Sequence, residues 1–177
     1  AMSEYFTCLL YRSGVVRCWG SQFAYGSLGY NDCCAARYAP TAGETLVVPH
    51  DPHVVEISAG ILHGCARYSN GDTVCWGSDV NGALGYGASV FVAFLASYVS
   101  GPISMSYPYP VKQISTGYET TCAVFTDGAG KCWGINTDGS LGYGDVIGRD
   151  TPPVATINMS SAFGLSRIEI SSYFHSC

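Results

Sequence analysis

Nine cysteines are the residues of this 177-residue chain best suited to chemistry. Six of them form three pairs with one shared interval of ten residues: Cys8 and Cys18, Cys65 and Cys75, Cys122 and Cys132. Paired thiols can close a disulfide, hold a metal as thiolates, or pack as small reduced side chains. A zinc knuckle sets its two cysteines only a few residues apart, unlike the interval here. The flanking residues recur as well, in "TCLLYRSGVVRCWG" (7–20), "GCARYSNGDTVCWG" (64–77) and "TCAVFTDGAGKCWG" (121–134). Trp19, Trp76 and Trp133 stand 57 residues apart both times.

The element that must position each pair is a hairpin. Alternating apolar positions flank a short loop with glycine at its third place: Arg12-Ser13-Gly14, Ser69-Asn70-Gly71 and Thr126-Asp127-Gly128. A three-residue hairpin loop needs a left-handed residue at that place, which glycine adopts without strain. Counting outward, Leu10 faces Val16, Leu9 faces Arg17 and Cys8 faces Cys18, and the other two hairpins follow the same count. Directly opposed residues lie roughly 4.5 to 5.5 Å apart, within reach of a disulfide. Three pairs in register favour bridges over reduced thiols or zinc.

Cys33, Cys34 and Cys177 remain. An odd remainder in an oxidising setting points to a further or intermolecular bond, and Cys33-Cys34 are too close to bridge each other without strain. "HDPH" (50–53) brings His50, Asp51 and His53 together, but reads as a solvated, proline-bearing connection rather than a metal site. His63 and His175 precede hairpin cysteines where other repeats have Phe6 and Thr120, so they read as structural. Asn158 opens the sequon "NMS" and is a candidate glycosylation site. No nucleophile–base pair, paired carboxylates or phosphate loop emerges, so no catalytic, cofactor or metal residue is assigned and no cofactor is expected.

Charged residues make up 12% of the chain and the net charge is −5 with eight Lys and Arg, which argues against a nucleic-acid partner. The longest apolar run, "FVAFLASYV" (91–99), is too short to span a membrane. The start, "AMSEYFTC", lacks the basic and apolar regions of a signal peptide. The chain is therefore expected to be a mature or interior piece.

Each hairpin is followed by Trp-Gly, a turn-rich stretch and a Leu-Gly-Tyr mark at 28–30, 84–86 and 141–143. Strand-like runs "VVEISAG" (54–60), "VKQISTG" (111–117) and "SRIEISS" (166–172) lead into the next unit. The expected fold is all-β: propeller blades of four short antiparallel strands, in about three repeats of 57 residues across 1–177. The hairpins fall at 5–20, 62–77 and 119–134, with a fourth beginning at 171–177. The tryptophans are expected to pack between neighbouring blades.

"HGCARYSNGDTVCWGSDVNGALGYG" (63–87) and the longer match at 120–154 resemble the regulator-of-chromosome-condensation repeats, in their disulfide-bearing "CWG" branch. That resemblance implies a closed propeller, usually of seven blades. Three units cannot close one, and closure at this repeat length needs roughly 230 residues. The chain thus reads as a segment of a longer protein, unless separate chains complete the ring.

The functional expectation is a non-enzymatic, disulfide-stapled, extracellular or cell-surface module, structural, adhesive or protein-binding. Its connections 31–54 and 87–111 differ while the hairpins repeat, which places binding in the connections. Expected partners are other protein chains, including copies of itself or the rest of its own propeller, or a glycan, without membrane insertion. The alternatives are the ectodomain of a larger receptor or enzyme, and nucleotide exchange on a small GTPase, as the family's name-giving member performs.

Overall fold

A computed structural model describes residues 1–21, 26–30, 53–87, 101–157 and 165–170. Three small antiparallel sheets repeat along the chain. The first pairs β1 (Phe6–Leu10) with β2 (Val16–Gly20). The second orders β3 (Val54–Ala59), β4 (His63–Tyr68) and β5 (Thr73–Gly77). The third orders β6 (Val111–Thr116), β7 (Thr120–Phe125) and β8 (Gly130–Gly134). These are propeller blades, and one 3-10 turn at Val80–Gly82 follows β5.

The hairpin register is the one that counting from the glycine gives. Cys8 faces Cys18, Cys65 faces Cys75, and Cys122 faces Cys132. Each pair is bonded, with Cα atoms 4.1, 4.0 and 4.1 Å apart in turn. Gly14, Gly71 and Gly128 have φ of 81°, 90° and 87°, the left-handed turn the loops required.

Strand alternation divides each sheet between two cores. Cys8, Val16 and Leu28 of the first blade meet Ala66, Tyr68, Val74 and Trp76 of the second. From the opposite face of the second blade, Cys65, Cys75 and Leu84 meet Ala123, Phe125 and Trp133 of the third. The first two bridges therefore each pack in the same core as the tryptophan of the following blade, and the third packs with Leu141. The Trp76 indole donates to the Ser27 carbonyl at 3.1 Å, and the Trp133 indole to the Ala83 carbonyl at 3.0 Å. Gly85 (φ +81°) is required here, because a β-carbon would lie 2.6 Å from Trp133 Nε1.

The sequence expects four strands per blade, whereas the described residues form three in the second and third sheets. At the cross-linked pair, the second cysteine turns its main-chain groups outward, where a fourth strand would take them. The tyrosine of Leu-Gly-Tyr takes them instead. Tyr86 and Tyr143 accept the amides of Cys75 and Cys132 at 3.1 and 2.9 Å, and Tyr30 accepts that of Cys18 at 2.9 Å. Among the described residues, the chain beyond this clamp also meets the edge through bonds such as Ile103 N–H to the Thr73 carbonyl at 2.8 Å.

Side chains also tie the inner strands together. Ser58 Oγ accepts Thr116 N–H at 3.0 Å, and Ser115 Oγ accepts Ile170 N–H at 3.1 Å. Glu56 accepts Ile114 N–H at 3.3 Å, and Gln113 exchanges two bonds with Ile168 at 2.8 and 2.9 Å. Residues 165–170 thus dock on β6 as the next inner strand would.

Candidate interaction surface

The connection into β6 runs through "ISMSYPYP" (103–110). Proline fixes its own φ and restricts the residue before it, so Tyr107-Pro108-Tyr109-Pro110 is a stiff piece, bent at 108–109. What holds it is a lysine. Lys131 on β8 is fully buried, and a buried ammonium demands polar partners. It donates to the carbonyls of Met105 and Ser106 at 2.8 and 3.3 Å. Its Nζ also lies 4.9 Å from the Tyr107 ring centre and 5.9 Å from that of Phe125, a favourable placement over aromatic faces. Burial lowers the lysine's pKa from its ordinary value. Ser106 adopts φ 46° at the turn where both carbonyls face the ammonium.

Opposite this strap stands the hairpin loop of the preceding blade. Asn70 bridges it, accepting Asp72 N–H at 2.9 Å and donating to the Asp72 carboxylate at 2.7 Å. Pro110 lies against Gly71, leaving no room there for a side chain. On the strap's other flank the Tyr107 hydroxyl donates to Asp127 at 2.7 Å. That bond raises the tyrosine's pKa and lowers the carboxyl's. Between loop and strap lies a groove of about 240 Å³, lined among others by Asn70, Asp72, Ile103, Met105, Tyr107 and Tyr109. The Tyr107 and Tyr109 rings are 5.9 Å apart and inclined at 50°, and Tyr109 is 50% exposed.

This groove lies in the second of the two variable connections expected to carry binding. The first falls largely outside the described residues, as do Cys33, Cys34, Cys177, Asn158, His50, His175, the run at 91–99 and the hairpin start at 171–177. His53 is exposed and its ring adjoins Gly14. His63 is buried in the inter-blade contact: its Nε2 meets Thr121 Oγ1 at 2.9 Å, and that hydroxyl donates to the Ala83 carbonyl at 2.8 Å. Among the described residues no three His, Cys, Asp or Glu side chains converge as a metal-binding group, and no helix is long and apolar enough to cross a membrane.

Lys131 and the clamping tyrosines escaped the sequence reading. A lysine at an alternating strand position reads as solvent-facing. Only the recurrence of Leu-Gly-Tyr hinted at the phenols.

Comparison with known proteins agrees with this architecture. The model of the Regulator of chromosome condensation (RCC1) repeat matches residues 111–140. The Ultraviolet-B receptor UVR8 of Arabidopsis thaliana is 28% identical over 138 residues, covering 73% of this chain and 28% of the receptor. The crystal structure of human WBSCR16 superposes with a TM-score of 0.72 at 18% identity, over 88% of this chain and 38% of that one. Prp20p of Saccharomyces cerevisiae, studied for its binding to Gsp1p and histones, superposes with a TM-score of 0.70 at 18% identity. It covers 92% of this chain, which spans 38% of Prp20p.

Proposed function

The chain carries repeats of the regulator of chromosome condensation (RCC1) type, and on that premise we propose that it is a non-enzymatic protein-interaction module whose blades form a rigid platform. The observation that carries this reading is the groove between Asn70–Asp72 of one blade and residues 103–111 leading into the next. A connection that does not repeat is held in one conformation by Lys131, on a scaffold that does repeat. Binding residues on loops fixed by a rigid scaffold are the common arrangement in such folds. Prp20p's binding to Gsp1p and histones makes protein partners a fitting class, although the fold alone does not carry function.

The module is further proposed to work outside the cell or at its surface. Three bridges within single hairpins suit an oxidising compartment, and cytosolic proteins rarely keep such bonds. Asn158 is then proposed as a glycosylation site, and Cys33, Cys34 and Cys177 as candidates for a further or intermolecular bond.

The test is a photo-crosslinking residue placed at Tyr109 in the native full-length protein, with Val154, 84% exposed and distant from the groove in sequence, as the control. The reading predicts a discrete protein adduct from position 109 and none from 154. Equal or absent labelling at both positions would overturn it.

A further inference from the structure

We infer that the groove receives a cationic side chain, an arginine or lysine, of the partner protein. This rests on the reading of the groove as a protein-binding site and adds the chemistry of what enters it.

Among the described residues, Asp72 is the one charged side chain lining the groove. Of its oxygens, Oδ2 accepts from Asn70, an arrangement that orients the carboxylate at the groove's edge without neutralising it. Asp127 adds a second carboxylate on the far flank of the strap, held by the Tyr107 hydroxyl. Two nearby cations are committed elsewhere, and Lys112, next to the lining Val111, is an exposed residue outside the lining. Lys131 is buried against the Met105 and Ser106 carbonyls. Arg67, which reaches the Val111 carbonyl at 3.5 Å, is paired with Glu56 at 2.7 Å. Among the described residues lining it, the groove therefore carries a carboxylate and no cation.

The aromatic residues point the same way. The Tyr109 ring, 50% exposed and inclined at 50° to Tyr107, supplies the π surface for the incoming group, since the Tyr107 ring already takes the Lys131 ammonium at 4.9 Å. Ring faces beside a carboxylate suit a guanidinium or ammonium, which stacks and pairs at once. A volume of about 240 Å³ suits one long side chain rather than a folded element. The prolines at 108 and 110 keep the strap stiff, so little ordering is lost on binding.

A neutral saccharide is the competing occupant, since tyrosine, aspartate and asparagine also serve sugars. The experiment separates the two. The disulfide-intact chain is labelled at its tyrosine rings and followed by nuclear magnetic resonance. It is titrated with Nα-acetyl-arginine amide, with the citrulline analogue of the same shape without charge, and with N-acetylglucosamine. The inference predicts saturable shifts at Tyr107 and Tyr109 with the arginine probe, and affinity about tenfold weaker for citrulline, as loss of a charge-assisted contact implies. Asp72→Asn should weaken the arginine probe similarly and leave the melting curve unchanged. Tyr109→Ala, at an exposed ring, supplies a second folded variant with the same expected loss. Equal binding of citrulline, preference for the saccharide, or no shift with any probe overturns the inference. If that happens while position 109 still crosslinks to a protein, the interaction module stands and the cationic occupant falls; loss of both removes the groove itself as a site.

Discussion

The indole of Trp133 donates to the Ala83 carbonyl 3.0 Å away in the preceding blade, and the Thr121 hydroxyl donates to the same oxygen at 2.8 Å. One carbonyl thus gathers two donors from the next blade at the point where Leu84 enters the core. Trp76 repeats the indole half of this contact on Ser27. The blades are joined at these carbonyls as much as by apolar packing.

Trp133→Phe removes the indole donor and leaves a cavity in a fully buried site. The expected cost is about 2 to 4 kcal/mol in denaturant unfolding of the disulfide-intact protein. Trp19→Phe, at a half-buried position, should cost less. Equal costs would show that the inter-blade contact contributes nothing.

Tyr143→Phe tests the clamp on the outer edge of the third sheet. The Cys132 amide would lose its acceptor at 2.9 Å, at an expected cost of about 1 kcal/mol. Hydrogen exchange at that amide should quicken while the amide of Cys122, inside the sheet, is unaffected.

Asp79 carries a pH dependence of defined sign. Its carboxyl is buried, and burial pushes its pKa up to about 6, against the lowering effect of the Leu84 N–H bond and with help from Asp150. Between the ordinary carboxylate range and pH 6 the folded state holds a proton that the unfolded chain releases, so this group's contribution to stability falls as pH rises through that window. Asn136 fills the equivalent place one repeat on and accepts Leu141 N–H at 2.9 Å in the same way. Asp79→Asn should therefore raise stability at pH 7 by about 2 kcal/mol, with little change near pH 4. Thermal melts across this range check it, and a loss at pH 7 would contradict it.

His63 acts with the opposite sign. Burial lowers its pKa to about 4. The unfolded chain binds a proton below the ordinary histidine value while the folded state does not, so stability is lost as pH falls from about 6.5 toward 4. His63→Gln, whose amide can still donate to Thr121, should flatten that loss. The slope that remains should be the opposing one from Asp79, and the double variant should show neither.

The sequence disclosed the hairpins, their bridges and the inter-blade place of Trp76 and Trp133, because period-two alternation and a left-handed glycine leave few choices of register. It did not disclose how the outer edge of the described sheets is met. That depends on a phenol reaching an amide eleven residues away, as Tyr86 does to Cys75, a contact no periodicity encodes. The groove was legible only as a place where repeats stop repeating. Its geometry comes from Lys131, whose burial follows from two carbonyls presented by a different segment.

The stapled, extracellular reading stands on three bridges existing in the native protein. The most direct measurement is rapid alkylation of the protein as extracted from its source, followed by non-reduced peptide mass mapping. The account predicts unmodified, linked peptides pairing Cys8 with Cys18, Cys65 with Cys75 and Cys122 with Cys132. Alkylated thiols at these six positions would contradict the stapled extracellular module and return the chain to the reducing interior of the cell.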